Sequence, residues 1–329
     1  MQPFEQHAPI PDLEQVGVPI ISEIKEGPAD IIPGVLPRSG QLVIAGETDV
    51  GKSLVALEIC SALTSDRPLW TELEPTLKAR RIIYILGEHY NEVIMRLWAL
   101  TGLPMSDQVW LIGPEQLGYD KWLVAQGKPN PIAINKLTKW AEGADLVVFD
   151  PLSAFVTGID SENDNIQMRL VLDTMSLITQ SVGASCLVLA HQGKPIIGRD
   201  GMESSRKSYA IRGASAIEDA ATNIFYMDRA KGIEAAAETR DSKIFILKKR
   251  KYKGTAPDEY RLVRDTNNLT HILLGNRPYV EVKKMETQAK FTRIKMVFPD
   301  MPVSDVVKLL ASIDQVTERT IYNHLGYKT

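Results

Sequence analysis

The chain has 329 residues, with 38 basic and 41 acidic side chains and a formal net charge of −3. That length suits one large α/β domain plus something small. The charge balance excludes a global field that would draw nucleic acid, so any such contact must come from a local patch. Only two cysteines occur, Cys60 in a helical apolar pattern and Cys186 in a strand pattern. Neither a disulfide framework nor a zinc site is supported, and both read as small buried hydrophobes. Met1–Glu5 shows no basic stretch followed by an apolar core, and no apolar run approaches the roughly 20 residues that span a bilayer. A cytoplasmic protein without membrane contact is expected.

Residues 1–35 read as an N-terminal arm. Pro3, Pro9, Pro11, Pro19, Pro28 and Pro33 exclude a long helix. Val18, Ile20, Ile21, Ile24, Ile31, Ile32 and Val35 nevertheless need a docking site, on this chain or on a neighbouring one. From 41 to about 275, short apolar runs at 41–45, 81–86, 108–112, 145–150 and 184–190 alternate with helical patterns near 53–63, 89–101, 132–142 and 163–182. Such alternation predicts a mostly parallel, covered sheet. Runs at 223–227, 242–247, 260–263 and 269–274 then read as a meander extending it.

The first of these strands leads into Gly46-Glu47-Thr48-Asp49-Val50-Gly51-Lys52-Ser53, and the helical pattern starts directly afterwards at Leu54. This is a complete phosphate-binding loop in its proper strand–loop–helix context. Backbone N–H groups from Gly46 to Leu54 can converge on one anion, aided by the positive end of the following helix. Lys52 would reach the β- and γ-phosphates, and the Ser53 hydroxyl would join Mg²⁺, which prefers oxygen ligands. A nucleoside triphosphate with Mg²⁺ is therefore expected.

Further along, the second strand ends in Gly87-Glu88. In open α/β sheets ligands sit at the carboxyl ends of strands. Glu88 would stand beside the γ-phosphate if its strand neighbours the loop strand, and it would there orient the attacking water; the alternative is an ordinary loop acid. The run Ala144–Asp150 is an apolar strand ending in an acid, and Asp150 fits the second carboxylate on the Mg²⁺ side. The next strand delivers His191 and Gln192 to the same edge. Residues 193–209 form a polar segment containing Arg199, Arg206 and Lys207, long for a buried connection, which reads either as functional or as a loop binding nothing. Lys248-Lys249-Arg250-Lys251-Tyr252-Lys253-Gly254 follows a strand as a basic run, with a solvated turn as its alternative.

Residues 281–329 change character. Eight basic and five acidic side chains lie between 283 and 329. A helix starting near Pro302 and a second one capped by Thr317 and ended by Gly326 match a helix-turn-helix or winged-helix-like module; a plain helical packing module is the alternative.

The loop at 46–53, Gly87-Glu88 with Glu92 and Arg96, Asp150-Pro151-Leu152-Ser153, His191-Gln192-Gly193-Lys194 and Ile211-Arg212-Gly213-Ala214-Ser215-Ala216 together resemble the RepA-like branch of RecA-type ATPases, which holds hexameric replicative helicases related to the DnaB motor. The resemblance spans about residues 30 to 275 and implies a RecA-like P-loop NTPase core over 36–280. It further implies Glu88 as catalytic base, Asp150 as Mg²⁺-side acid and His191 as γ-phosphate sensor. The family often has a second histidine where this chain has Gln192. Motors of this kind complete one subunit's nucleotide with cations from the next, a role that falls to Arg250 with Lys248 beside it, and less readily to Arg212. It also implies a homo-oligomeric ring with single-stranded DNA in its channel, where Arg199, Arg206 and Lys207 would contact phosphates. The rival reading, from the C-terminal helix-turn-helix, is an ATP-gated DNA-binding adaptor that unwinds nothing.

Overall fold

A computed structural model describes residues 30–157 except 89–90, 105 and 119–121; 165–191; 218–230 except 222; 242–265 except 252–256; 269–274; 284; 287–292 except 289; 294–296; and 298–326 except 314–315. The chain opens with β1 (Gln41–Gly46), α1 (Lys52–Thr64), β2 (Ile82–Leu86), α2 (Asn91–Thr101) and β3 (Val109–Ile112). A short helix α3 (Pro114–Leu117) and a hairpin of β4 (Val124–Ala125) and β5 (Lys128–Pro129) precede α4 (Pro131–Ala141) and β6 (Leu146–Asp150). Next come β7 (Val156–Thr157), α5 (Asn165–Ser181), β8 (Ser185–His191), β9 (Asn223–Arg229), β10 (Ser242–Lys251), β11 (Glu259–Asp265) and β12 (His271–Leu273). The last two helices are α6 (Val303–Ile313) and α7 (Glu318–Leu325).

Nine strands form one sheet in the order β12-β11-β10-β9-β1-β8-β6-β2-β3. From β9 to β3 every pairing is parallel. From β9 through β12 they are antiparallel, so the expected meander does extend the sheet. The parallel strands inside the edge strand β3 are buried on both faces, as continuous Val/Ile/Leu runs require. Alternate residues feed two cores. Leu42 and Ile44 of β1, Tyr84 of β2 and Val148 of β6 lie on the α1 side. Val43, Ala45, Ile83 and Phe149 lie on the side of α4 and α5.

The pattern at 53–63 reads as amphipathic, yet α1 is buried almost all round, from Leu54 and Val55 to Ala62 and Leu63. Its far side is covered by pieces distant in sequence. Ile31, Ile32, Val35 and Leu36 join the same core, so this part of the arm docks on its own chain. The turn is tied down by Tyr260, whose hydroxyl donates to the Gly34 carbonyl at 3.0 Å. The buried Glu58 of α1 accepts from Trp70 Nε1 (3.1 Å) and from the His271 backbone N–H (2.6 Å), and its Oε2 lies 2.9 Å from His271 Nδ1. Such a carboxylate is tolerated in a core only because its lone pairs are met.

Local signals explain the helix ends. The Asn130 side chain accepts from the N–H groups of Ile132 and Ala133, with Pro131 in the first turn of α4. Thr317 accepts from the Thr320 N–H, and Gly326 closes α7 in the left-handed region at φ 82°. Helices α6 and α7 share a small core of Val306, Val307, Leu310, Ala311 and Ile321. Among the described residues no helix is long and apolar enough to cross a membrane. Both cysteines are buried, and burial pushes each thiol up to about 12.

Candidate active site

Parallel strands share one direction, so their carboxyl ends share one edge. By register Gly46 stands beside His191 on one side and Met227 on the other, and Leu86 stands beside Asp150. Four of the elements singled out in the sequence therefore converge where an α/β sheet binds its ligand.

The loop itself is built on a left-handed turn. Asp49 has φ 61° and Gly51 φ 106°, a region that a residue with a Cβ enters at a cost. Gly51 leads into α1, whose first residue is Lys52. Glu47, Thr48 and Asp49 are exposed, while Val50 and Leu54 are buried and anchor the loop to the core. The Lys52 ammonium folds back onto the loop, donating to the carbonyls of Gly46 (3.0 Å) and Glu47 (2.7 Å). Burial lowers its pKa to about 8, with Asp150, Asp49 and Glu47 opposing that shift. A cation held this way on neutral carbonyls has a better partner in a phosphate.

Asp150 ends β6 and is 5 % exposed. Its Oδ2 accepts from Ser53 Oγ at 2.8 Å and from the Tyr84 hydroxyl at 2.8 Å. A serine hydroxyl and a carboxylate brought together beside a phosphate-binding loop are the hard oxygen donors that Mg²⁺ takes, so the residues present fit that ion. His191, half-buried at the end of β8, has its pKa lowered by burial and then by the Lys52 charge, which keeps the imidazole neutral. Its Nδ1 has no hydrogen-bond partner among the described residues.

The condition placed on Glu88 is not met. Strand β2 does not neighbour β1, because β8 and β6 lie between them. Glu88 still reaches the edge, since the Gly87 N–H donates to the Asp150 carbonyl at 2.9 Å. A Cβ at Gly87 would lie 2.2 Å from Ala154 Cβ, so only glycine lets this turn pack on the segment after Asp150. Ser153 Oγ lies 3.5 Å from Glu88 Oε1. The acid is exposed.

The basic run does not follow a strand but belongs to one, since β10 runs through Lys251, with a register shift against β9 between Lys249 and Lys251. Strand extension wins because Leu247↔Met227 and Lys248↔Tyr226 continue the ladder past the apolar residues. Lys248 lies in this strand. Arg250 is held within the chain by a bidentate pair, Nε to Glu218 Oε1 at 3.0 Å and Nη2 to Oε2 at 2.9 Å, and remains 56 % exposed. Arg212, Arg199, Arg206, Lys207 and Gln192 lie outside the described residues.

Two participants escaped the sequence reading. Tyr84 sits mid-strand and looks like any core aromatic until Asp150 is seen beside it. Arg264, near the end of β11, stacks 4.1 Å from the Phe245 ring centroid and brings Nη1 to 3.5 Å from the Val50 carbonyl. The signal available for it was that β11, two antiparallel turns after β9, again runs in the direction of β1 and so ends at the loop edge.

A family model described as an AAA domain matches residues 14–195. No curated protein matches the chain significantly. The matched span carries the phosphate loop, Glu88, Asp150 and His191, and it implies nucleotide binding and supports ATPase activity. Because it covers more than half of the 329 residues, the chain belongs to this AAA-domain family of P-loop ATPases.

Proposed function

We propose that this chain is an ATP-hydrolysing oligomeric motor acting on DNA, of the RepA-like helicase kind. The observation that carries the reading is the source of the acid. Asp150 is followed by Pro151, Leu152 and Ser153, none of which can take a proton from water, whereas Glu88 comes to the same edge from β2. ATP would lie over Gly46–Leu54, with Lys52 on its β- and γ-phosphates. Mg²⁺ would be held by Ser53 and, through water, Asp150, and when bound it neutralises charge on the phosphate oxygens. Glu88 accepts the proton of the attacking water. Neutral His191 offers a ring nitrogen to the γ-phosphate and, from the end of β8, relays its presence into residues 193–209, where Arg199, Arg206 and Lys207 contact the strand in the channel. Arg250, with Lys248 beside it, enters the neighbouring subunit's site and exchanges Glu218 for phosphoryl charge, so that the ring is the unit of catalysis. Processive displacement of a duplex, abolished by Lys52→Ala, is the expected result. ATP-dependent duplex binding with no displacement would sink the motor.

A second reading, an ATP-gated DNA-binding adaptor, draws support from α6 and α7, which share their own apolar core, and from the capped ends of α7. It assigns site choice to this pair as a helix-turn-helix. Unchanged DNA affinity and salt dependence after deletion of residues 286–329 would dismiss that role.

A further inference from the structure

We propose that Tyr84 is a positioning residue for the metal half of the nucleotide site, its phenol holding the Asp150 carboxylate in the orientation that Mg²⁺ requires. The inference rests on the reading of Ser53 and Asp150 as the Mg²⁺-side pair.

Tyr84 is the central residue of β2, on the α1 face, and is fully buried. Its strand neighbours on that face, Ile82 and Leu86, are aliphatic. A hydroxyl in such a place is costly unless it is hydrogen-bonded, and a phenylalanine would fill the same volume without that cost. The acceptor is Asp150 Oδ2, 66 residues away in sequence and 2.8 Å away in space. A phenol keeps its proton at neutral pH and a carboxylate only accepts, so Tyr84 is the donor of this bond.

The same Oδ2 takes the Ser53 hydroxyl, also at 2.8 Å. Two donors from two elements, the first turn of α1 and the middle of β2, thus fix one oxygen of the carboxylate. Oδ1 has no donor among the described residues and is the oxygen left to a metal-bound water. If the Ser53 oxygen were to coordinate the metal, the Tyr84 bond would continue to hold the Asp150 carboxylate from the β2 side. Partners of this kind, one step behind the metal, change metal affinity by about 10–100-fold when removed.

The test uses the full chain with Tyr84→Phe, which keeps the ring and deletes only the hydroxyl. ADP binding is followed by calorimetry in EDTA and then across a Mg²⁺ titration. The Mg²⁺ concentration that half-restores tight binding should rise about 10–100-fold, while metal-free ADP affinity stays at the wild-type value. In an Asp150→Asn background the Tyr84→Phe change should add nothing to the loss, because the two act through one contact. An unmoved Mg²⁺ midpoint overturns the proposal, and so does an equal loss in EDTA, which marks a packing role only. If wild-type ADP binding itself ignores Mg²⁺, the metal assignment of Ser53 and Asp150 falls, and Tyr84 falls with it. The wild-type control alone identifies that case.

Discussion

The sheet holds its polar groups differently on the two sides of β1. Toward β8, β6 and β2 all strands are parallel, and two of the groups gathered at that edge are enclosed: Lys52 lies on two carbonyls, Asp150 under two hydroxyls, and neither is more than 7 % exposed. Toward β10 the pairing turns antiparallel, and the Arg250 cation is presented outward in its pair with Glu218. Enclosed groups are fixed in place and strongly coupled. An exposed pair contributes only about 0.2–1 kcal/mol and changes partner easily. The enclosed side suits holding a nucleotide, and the open side suits a contribution to someone else's site.

The sharpest way to break that contrast is Arg250→Ala. If the arginine serves a neighbour, ATP turnover of the assembled protein should fall about 10³–10⁵-fold, with the melting temperature almost unmoved. Glu218→Gln, which frees the guanidinium, should leave turnover intact. Equal small losses in both variants would reduce the pair to an ordinary surface contact.

On the parallel side, Glu88→Gln should lower turnover about 10²–10⁴-fold without weakening ATP binding, as read by single-turnover kinetics and calorimetry. Parallel losses in both quantities would place Glu88 in binding rather than in proton transfer. Glu58→Leu tests enclosure without chemistry. It strands the Trp70 indole and the His271 donors beneath α1, and urea unfolding should show roughly 2–5 kcal/mol of lost stability.

The smallest effect is a pH dependence. Lys52 in the free protein has its pKa lowered from 10.5 to about 8 by burial. Its ammonium is therefore present below about pH 8 and lost above it, so ADP affinity should weaken as pH rises past 8, and Lys52→Arg should move that onset upward. The stability contribution has the opposite sign. Between about 8 and 10.5 the unfolded chain binds the proton that the folded one has released, so Lys52 adds stability as pH rises through that window. Lys52→Met should flatten this part of the stability profile.

Much of this was legible in one dimension. The run 41–45 and the strand β1 differ by one residue, and 145–150 and β6 likewise, because a parallel strand buried on both faces leaves an unbroken apolar run. Thr317 and Gly326 could be named as the cap and stop of α7 because capping is a local hydrogen-bond matter. The hairpin of β4 and β5 and the strand β7 were not seen, since two-residue strands carry no periodicity. The wrapping of α1 was also missed. Ile31, Trp70 and His271 meet it from three distant places, and nothing in the pattern at 53–63 anticipates them.

The sequence alone determined that a phosphate loop sits between a strand and a helix, and that acids and a histidine end the following strands, because both are set by local spacing and by the shared direction of parallel strands. Only the tertiary structure decided which of them meet. Strand order put β8 and β6 between Glu88 and the loop, brought Tyr84 under Asp150, and gave Arg250 to Glu218. Those partners are chosen by pairing across the sheet, a long-range choice that no stretch of neighbouring residues encodes.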